Sequence, residues 1–488
     1  DREEPRVGEI GFDSDRKLMT TIHRGERLIA YVKGAPEVLL DRSTHALIEG
    51  EVELDDALRE RFREVNREMA GQALRVLALG YRILPEGTEA FEAETVERDL
   101  IFLGLVGMMD APRKDAIKAI AEAKKSGIRS VMITGDHRLT AQAVAKEMGI
   151  MEAGDEVLTG PELEELSDAE LFEAADRVQV YARVSPRHKV RIVDALKRGG
   201  HVTAMTGDGV NDAPALKRAD IGVAMGITGT DVAREASDMV LTDDNFTSIV
   251  LAVREGRGIF DNIRKFVGYL LSANAGEVMV VFLGVLLFTQ PELIPIMLPV
   301  QILWINLVTD GLPALALGVD PVAKDIMDRT PKPPKESPLN REVGVAIVGI
   351  GLLVGFAGIF GVQLILAGQP SPLAPDTVAR VRTVVFTFIG VFELLFVFSI
   401  RSLRKPLPLS RPFENRWLLV AVGVSLFLQL IVIYLPALQG PFGTIGLGLN
   451  DWLLIVGLSV MVIALFEAGK LLHLAWMRRT PSPPVPQA

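Results

Sequence analysis

From about residue 266 onward the chain carries six apolar stretches, at roughly 266–288, 296–318, 343–368, 383–400, 417–437 and 452–475. Each is long enough to cross a hydrocarbon core about 30 Å thick. A segment in lipid must satisfy its own backbone hydrogen bonds, so these stretches are predicted to be transmembrane helices. The segment after the second stretch carries Lys324, Arg329, Lys332, Lys335 and Arg341, and the one after the fourth carries Arg401, Arg404, Lys405 and Arg411. The loops after the first and fifth stretches carry neither lysine nor arginine. The positive-inside rule then places the basic segments, residues 1–265 and the carboxyl terminus with Arg478 and Arg479 in the cytosol. Arg380 and Arg382, on the outer side, run mildly against the rule. The expectation is a multi-pass integral membrane protein, in the cell membrane if the source is prokaryotic.

The remainder of the 488 residues has room for soluble domains. Residues 1–109 mix strand candidates, Leu28–Val32 and Val76–Tyr81, with a charged helical stretch, Ala57–Met69, an α+β pattern. Residues 110–250 alternate apolar strands with helices, the pattern of a parallel α/β sheet. Strand candidates there are Ser130–Ile133, His201–Met205, Ile221–Met225 and Met239–Leu241. Residues 251–478 hold a stalk and the six membrane helices, and 479–488 form a proline-rich tail expected to be disordered. A net charge of −10 argues against nucleic acid as a partner. The absence of cysteine excludes a disulfide framework and a thiolate site for a soft metal.

The run Thr206-Gly207-Asp208-Gly209-Val210-Asn211-Asp212-Ala213-Pro214-Ala215-Leu216-Lys217 follows one of the buried strand candidates. Ligands of a doubly wound sheet bind in loops at that end of a strand. Asp208 and Asp212 are hard oxygen donors suited to Mg²⁺, and the glycines let backbone approach a phosphate. Thr134-Gly135-Asp136 follows a second strand and precedes a predicted helix, His137–Met148. Lys189 sits just before the helical pattern Val190–Lys197. A hydroxyl, a lysine and a Mg²⁺-binding acid pair are the parts that stabilise charge on a transferring phosphoryl group.

Ionisable residues inside the spans mark a second site, because they are costly in lipid. The first span holds Asn274 and Glu277, the second Asn306, Thr309 and Asp310, and the fourth Glu393. At about 1.5 Å per residue, Glu277, Asn306 and Glu393 lie roughly 15 Å into their spans, near the midplane. Within each helix the spacings place the groups on one face. Gly311 and Pro313 follow directly and can loosen the helix. Three carboxylates, two amides and a hydroxyl form an all-oxygen cage for a cation. Interhelical hydrogen bonding accounts for the asparagines but not for three acids at one depth. On the residues alone the ion stays open among Ca²⁺, Na⁺, K⁺, Mn²⁺ and H⁺.

With these motifs the chain resembles the carboxyl-terminal half of a P-type cation-transporting ATPase. It is most similar to the type II calcium pumps of the sarco/endoplasmic reticulum kind and their bacterial relatives, from about Phe12 to the last helix. The resemblance implies a cytosolic haloacid-dehalogenase-like (Rossmannoid) α/β domain with an α+β nucleotide-binding portion, followed by a six-helix transmembrane bundle. It implies that Asp208 binds Mg²⁺, that Lys189 and Thr134 hold the phosphoryl group with Gly135 and Asp136, and that Asn211 and Asp212 complete the loop. It implies an ATP pocket with Phe12 stacking on adenine, Lys17 and the Lys33-Gly34 turn beside it, and Arg75 near the phosphates. Arg113 and Arg183 are counted with the ATP contacts, Arg113 within the hinge Asp110-Ala111-Pro112-Arg113, where proline is more usual than Ala111. For the cage it implies Ca²⁺, exported from the cytosol through an aspartyl-phosphate.

The family's nucleophile run Asp-Lys-Thr-Gly-Thr and its Thr-Gly-Glu loop do not occur here. The chain is therefore expected to be a fragment, inactive alone, whose partner is the missing half with the actuator domain and first membrane helices. Val250–Phe266 reads as a charged stalk running into the first span and serving as a lever. The alternatives are a P-type pump for another cation, a membrane-anchored phosphatase of the same hydrolase fold, and a secondary cation transporter with a cytosolic domain.

Overall fold

A computed structural model describes residues 4–479 apart from 14–15, 72–73, 89, 109–111, 153, 334–335 and 403–404. The tail, the hinge residues Asp110 and Ala111, and the basic residues Lys335 and Arg404 lie outside the described residues. The chain divides into two compact units, Asp1–Leu251 with Met327–Pro334, and Ala252–Ile326 with Lys335–Ala488.

The first unit opens with a seven-stranded sheet. Its strands are β1 (Arg6–Ile10), β2 (Leu18–Arg24), β3 (Leu28–Gly34), β4 (Ser43–Leu47), β5 (Glu51–Glu53), β6 (Arg75–Leu84) and β7 (Leu100–Met108). They lie in the order β1-β2-β3-β6-β7-β4-β5 and pair antiparallel, except β4 with β7. Alternate residues of β2, namely Leu18, Thr20 and Ile22, are buried, as the two-residue period of a half-covered sheet requires. The charged helix spans Asp56–Gly71.

Two three-stranded parallel sheets follow, where the pattern predicts parallel α/β structure. One has the order β8-β10-β9, from β8 (Met132–Ile133), β9 (Glu156–Thr159) and β10 (Val178–Ala182). The other has the order β11-β12-β13, from β11 (Ala204–Gly207), β12 (Ile221–Met225) and β13 (Met239–Leu241). β11 starts three residues later than expected from His201, because Thr203 gives its N–H (2.9 Å) and hydroxyl (3.1 Å) to the Asp220 carboxylate. Ile133 packs against the cores of both sheets.

Among the described residues, six helices are long and apolar enough to cross a membrane. They are Phe246–Leu287, Pro299–Gly318, Arg341–Leu366, Pro375–Ile400, Arg416–Tyr434 and Leu449–Leu472, called here the first to sixth spans. The fourth has 89% of its apolar window buried against 22–44% for the others, so it is the axis of the bundle. The charged stretch Val250–Phe266 and the apolar run after it lie in one helix of 42 residues. Arg380 binds Asp451 at 2.7 Å, and Arg382 donates to the carbonyls of Pro295 (3.1 Å) and Glu292 (3.0 Å). Both arginines against the charge rule thus serve local anchoring at the loop ends.

Candidate functional site

The second span carries its polar residues on an irregular turn. Pro299–Trp304 is α-helical, Ile305–Thr309 is a π-turn, and Gly311–Gly318 resumes the α-helix. The Asp310 N–H reaches back to the Ile305 carbonyl at 2.9 Å, five residues rather than four. The helix is thus widened at the site, just before Gly311 and Pro313.

Carboxylate oxygens of Glu277, Asp310 and Glu393 lie within 4.8 Å of one another, and all three residues are buried. They come from the first, second and fourth spans. Asn306 donates to Glu277 Oε2 at 2.8 Å and to the Ile302 carbonyl at 3.0 Å. Asn274 turns its amide to the Leu270 carbonyl of its own helix, at 2.8 Å. Tyr269, which the sequence reading passed over, donates its hydroxyl to Asp310 Oδ1 at 3.0 Å. Its place two turns before Glu277, on the same face, was the available signal.

Among the described residues, Glu277 Oε1, Thr309 Oγ1, Asp310 Oδ2 and both oxygens of Glu393 are buried without a hydrogen-bond partner. Leaving a buried acceptor unmade costs about 1–3 kcal/mol, and more when it is charged. Four of these oxygens belong to the three converging carboxylates, more than a packing seam between helices calls for. Oxygen-only donors at this density suit a hard cation.

In the first unit, the phosphoryl-loop candidates sit at the carboxyl ends of parallel strands. Asp208 follows β11, with its side chain exposed. Asp212 is buried, and its Oδ2 accepts the backbone N–H groups of Gly209 (3.2 Å) and Asp208 (3.3 Å). Lys189, on the helix Pro186–Arg198, donates to Asp212 Oδ1 at 2.5 Å. Burial opposes the charge of Asp212, but the bonds from Lys189 and the two amides outweigh it and hold its carboxyl below the usual range. A Cβ on Gly207 would stand 2.5 Å from that of Asp212, so glycine is needed for the loop to close. Asn211 is exposed beside them.

Thr134 follows β8 and donates its hydroxyl to Asp136 Oδ2 at 2.9 Å, while the Asp136 N–H returns to Thr134 Oγ1 at 3.1 Å. Gly135 is exposed between them, ahead of the helix Arg138–Glu147. Arg183 has a left-handed backbone, φ 52°, and gives its N–H to the Asp136 carbonyl at 3.0 Å. Arg113 donates to the Asp244 carbonyl at 3.2 Å. Both arginines lie among these loops, not in the seven-stranded sheet.

A further clamp was not anticipated. The Asp244 carboxylate accepts the N–H groups of Gly226 (2.7 Å), Ile227 (3.0 Å) and Thr228 (2.7 Å), and the Thr228 hydroxyl (2.8 Å). Led by the Ile227 amide and only opposed by burial, these bonds lower its pKa to about 2. Two residues on, the Thr230 N–H meets the Asp208 carbonyl at 2.8 Å.

Of the ATP-pocket candidates, Lys17, Lys33 and Gly34 come together at paired ends of β2 and β3. Lys33 lines a cavity of about 190 Å³ with Met19, Tyr31, Leu79 and Leu103. A Cβ on Gly34 would meet the Lys17 carbonyl at 2.3 Å, so glycine permits that approach. Phe12 stands 67% exposed on the connection before β2, free to stack on a planar ligand. Arg75 is exposed at the start of β6 and does not line the cavity.

Two family models match the chain. The family described as "P-type ATPase, cytoplasmic domain N" matches residues 1–115, and "Cation transporting ATPase, C-terminus" matches residues 294–472. Both models are of P-type cation-transporting ATPases, the family that this chain resembles over most of its length. Among the relatives of this chain is the "Calcium-transporting ATPase" of Bacillus subtilis (strain 168), 45% identical over 470 residues, which cover 96% of this chain and 51% of the relative. "Calcium-transporting ATPase 1" of Lactococcus lactis subsp. lactis (strain IL1403) is 41% identical over 471 residues, 96% and 52% respectively. "Calcium-transporting ATPase 4, endoplasmic reticulum-type" of Arabidopsis thaliana is 37% identical over 541 residues, 96% and 50%. The chain thus spans about half the length of these relatives. Its six apolar helices make it a multi-pass integral membrane protein.

Proposed function

We propose that this chain is the ion-binding and phosphate-handling part of a pump that uses ATP to export Ca²⁺ from the cytosol through an aspartyl-phosphate. The observation that carries the reading is the meeting of three buried carboxylates from three spans, four of whose oxygens have no hydrogen-bond partner. Calcium tolerates six to eight oxygens in irregular geometry, which such a cluster can supply. The named relatives are calcium-transporting. The completing ligands and the phosphorylated aspartate are assigned to the part of the relatives that this chain does not cover.

The parallel strands with their ligand loops at carboxyl ends support a haloacid-dehalogenase-like reading of residues 110–250. In it the exposed Asp208 carboxylate fits Mg²⁺, a hard ion that keeps several waters and takes few carboxylates. Bound there, Mg²⁺ supplies neutralising charge to the transferring phosphoryl group. Lys189, fixed by Asp212, presents positive charge to that group, and Thr134 offers a hydroxyl. Lys33, Lys17 and Phe12 hold the nucleotide. The basic loops and residues 1–265 face the cytosol, where ATP is.

The test is phosphorylation of the full-length protein from labelled ATP. Labelling that requires Ca²⁺ and is lost in Glu277→Gln, Asp310→Asn and Glu393→Gln is the expected result. Labelling that follows Na⁺ and ignores Ca²⁺ rejects the ion assignment, and labelling indifferent to all cations rejects the pump.

A further inference from the structure

Asp320 lies just past the second span and is 4% exposed. Its carboxylate accepts Lys265 Nζ at 2.7 Å, Arg401 Nη2 at 2.8 Å and Asn415 Nδ2 at 3.0 Å. Its carbonyl accepts Asn262 Nδ2 at 2.8 Å. Asn262 and Lys265 belong to the first span, Arg401 caps the fourth, and Asn415 caps the fifth. Arg401 is itself buried and also donates to the carbonyls of Arg411 and Pro412, both at 2.8 Å. One carboxylate therefore ties together the three helices that carry Glu277, Asp310 and Glu393. Counted along the chain, it does so ten residues from Asp310, and through partners twelve from Glu277 and eight from Glu393. At 1.5 Å per residue that is about 12–18 Å from the cluster, on the side of the basic loops.

A buried carboxylate facing two cations is a poor device for mere adhesion, since well-packed apolar residues do that at least as well. What it gives is register. Ion pairs in a dry setting accept few geometries, so each helix is held at one axial height and one rotation. Convergence of three acids needs that constraint, because a shift of about 1 Å at a ligand is felt in affinity.

We propose that Asp320 is a positioning residue for the cation cluster, setting its affinity by fixing the three ligand-bearing helices against one another. The proposal rests on the pump reading above. It predicts that Asp320→Asn in the full-length protein raises the Ca²⁺ concentration for half-maximal phosphorylation by about tenfold, because two cations lose their partner and the helices their tie. Phosphorylation from inorganic phosphate in Ca²⁺-free medium, which does not use the cluster, is expected to persist. Adding Lys265→Gln to Asp320→Asn removes one stranded charge without restoring the tie, so the loss of affinity is expected to remain; its return would assign the effect to the stranded charge and overturn the proposal.

Asn340→Ala, which uncaps the third span, a helix without a cluster acid, controls for ordinary destabilisation. An Asp320→Asn affinity within about twofold of wild type overturns the proposal, as does an equal shift in Asn340→Ala. If Asp320→Asn does not accumulate, Lys265→Gln alone decides. It keeps the Arg401 pair and the Asn262 bond and removes the carboxylate's own tie to the first span, so about a threefold loss supports the proposal and no change overturns it. Wild-type protein that phosphorylates without regard to Ca²⁺ rejects the underlying pump reading instead.

Discussion

Single side chains hold both sites by accepting hydrogen bonds that their surroundings cannot otherwise place. Asp244 gathers three amides and a hydroxyl, and the loop so held touches Asp208 through Thr230. Because its folded pKa, about 2, lies below the unfolded value, it contributes stability above that unfolded value. The contribution is lost as the pH falls from about 4 toward the folded pKa. Amides 226–228 should therefore lose protection, measured against the intrinsic exchange rate at each pH, below about pH 4 in wild type, and be less protected than wild type at neutral pH in Asp244→Asn. At the cluster, Tyr269→Phe keeps the ring and deletes a donor to Asp310. A bond to a charged group is worth about 1.5–3 kcal/mol, so Ca²⁺ affinity in a binding assay should fall about tenfold or more. Glu277, Asp310 and Glu393 were legible because an acid is costly inside an apolar run and stands out against it. Tyr269 was not, since tyrosine in a span reads as packing. Arg113 and Arg183 read as nucleotide contacts by motif, and only their partners, Asp244 and Asp136, place them among the phosphoryl loops.

At the level of elements, periodicity found every span to within a few residues, except where helices run on past the apolar run. The first begins at Phe246 because charged residues are as helical as apolar ones, and hydropathy cannot see them. The π-turn was also hidden, since Gly311 and Pro313 signalled loosening without saying how the backbone would yield. β8 is two residues long for a four-residue prediction, showing that an apolar run marks burial better than it marks a ladder. The 42-residue helix is the element for which we propose a lever role between phosphorylation and ion release. Three glycines inserted after Gly258 break its stiffness. In the full-length pump ATP hydrolysis should continue while Ca²⁺ accumulated per ATP falls. An unchanged ratio in vesicle uptake rejects the lever.

On the scale of the whole molecule, the proposed orientation makes a prediction that this sequence is well suited to test. It contains no cysteine, so one introduced thiol is the only one in the chain. Leu409→Cys, in the loop after the fourth span, should react with a membrane-impermeant maleimide only from the cytosolic side. Gln369→Cys, after the third span, should react only from the outside. The reverse pattern inverts the topology. The division into units places Met327–Pro334, a stretch between two spans, with residues 1–251. No local signal announces that grouping, because it depends on which surfaces meet and not on composition.

The extra residue in the wide turn of the second span has a consequence for how the protein tolerates length changes. Removing one residue from Ile305–Thr309 would let the hydrogen bonds close at ordinary spacing, and the backbone would be more regular for it. The helix beyond would keep its phase, because the wide turn absorbs the extra residue. It would still insert and still read as sound by circular dichroism, yet Asn306 and Asp310 would stand one residue closer along the chain than they do at the cluster. A deletion that tidies the helix is thus the one most apt to leave it mute.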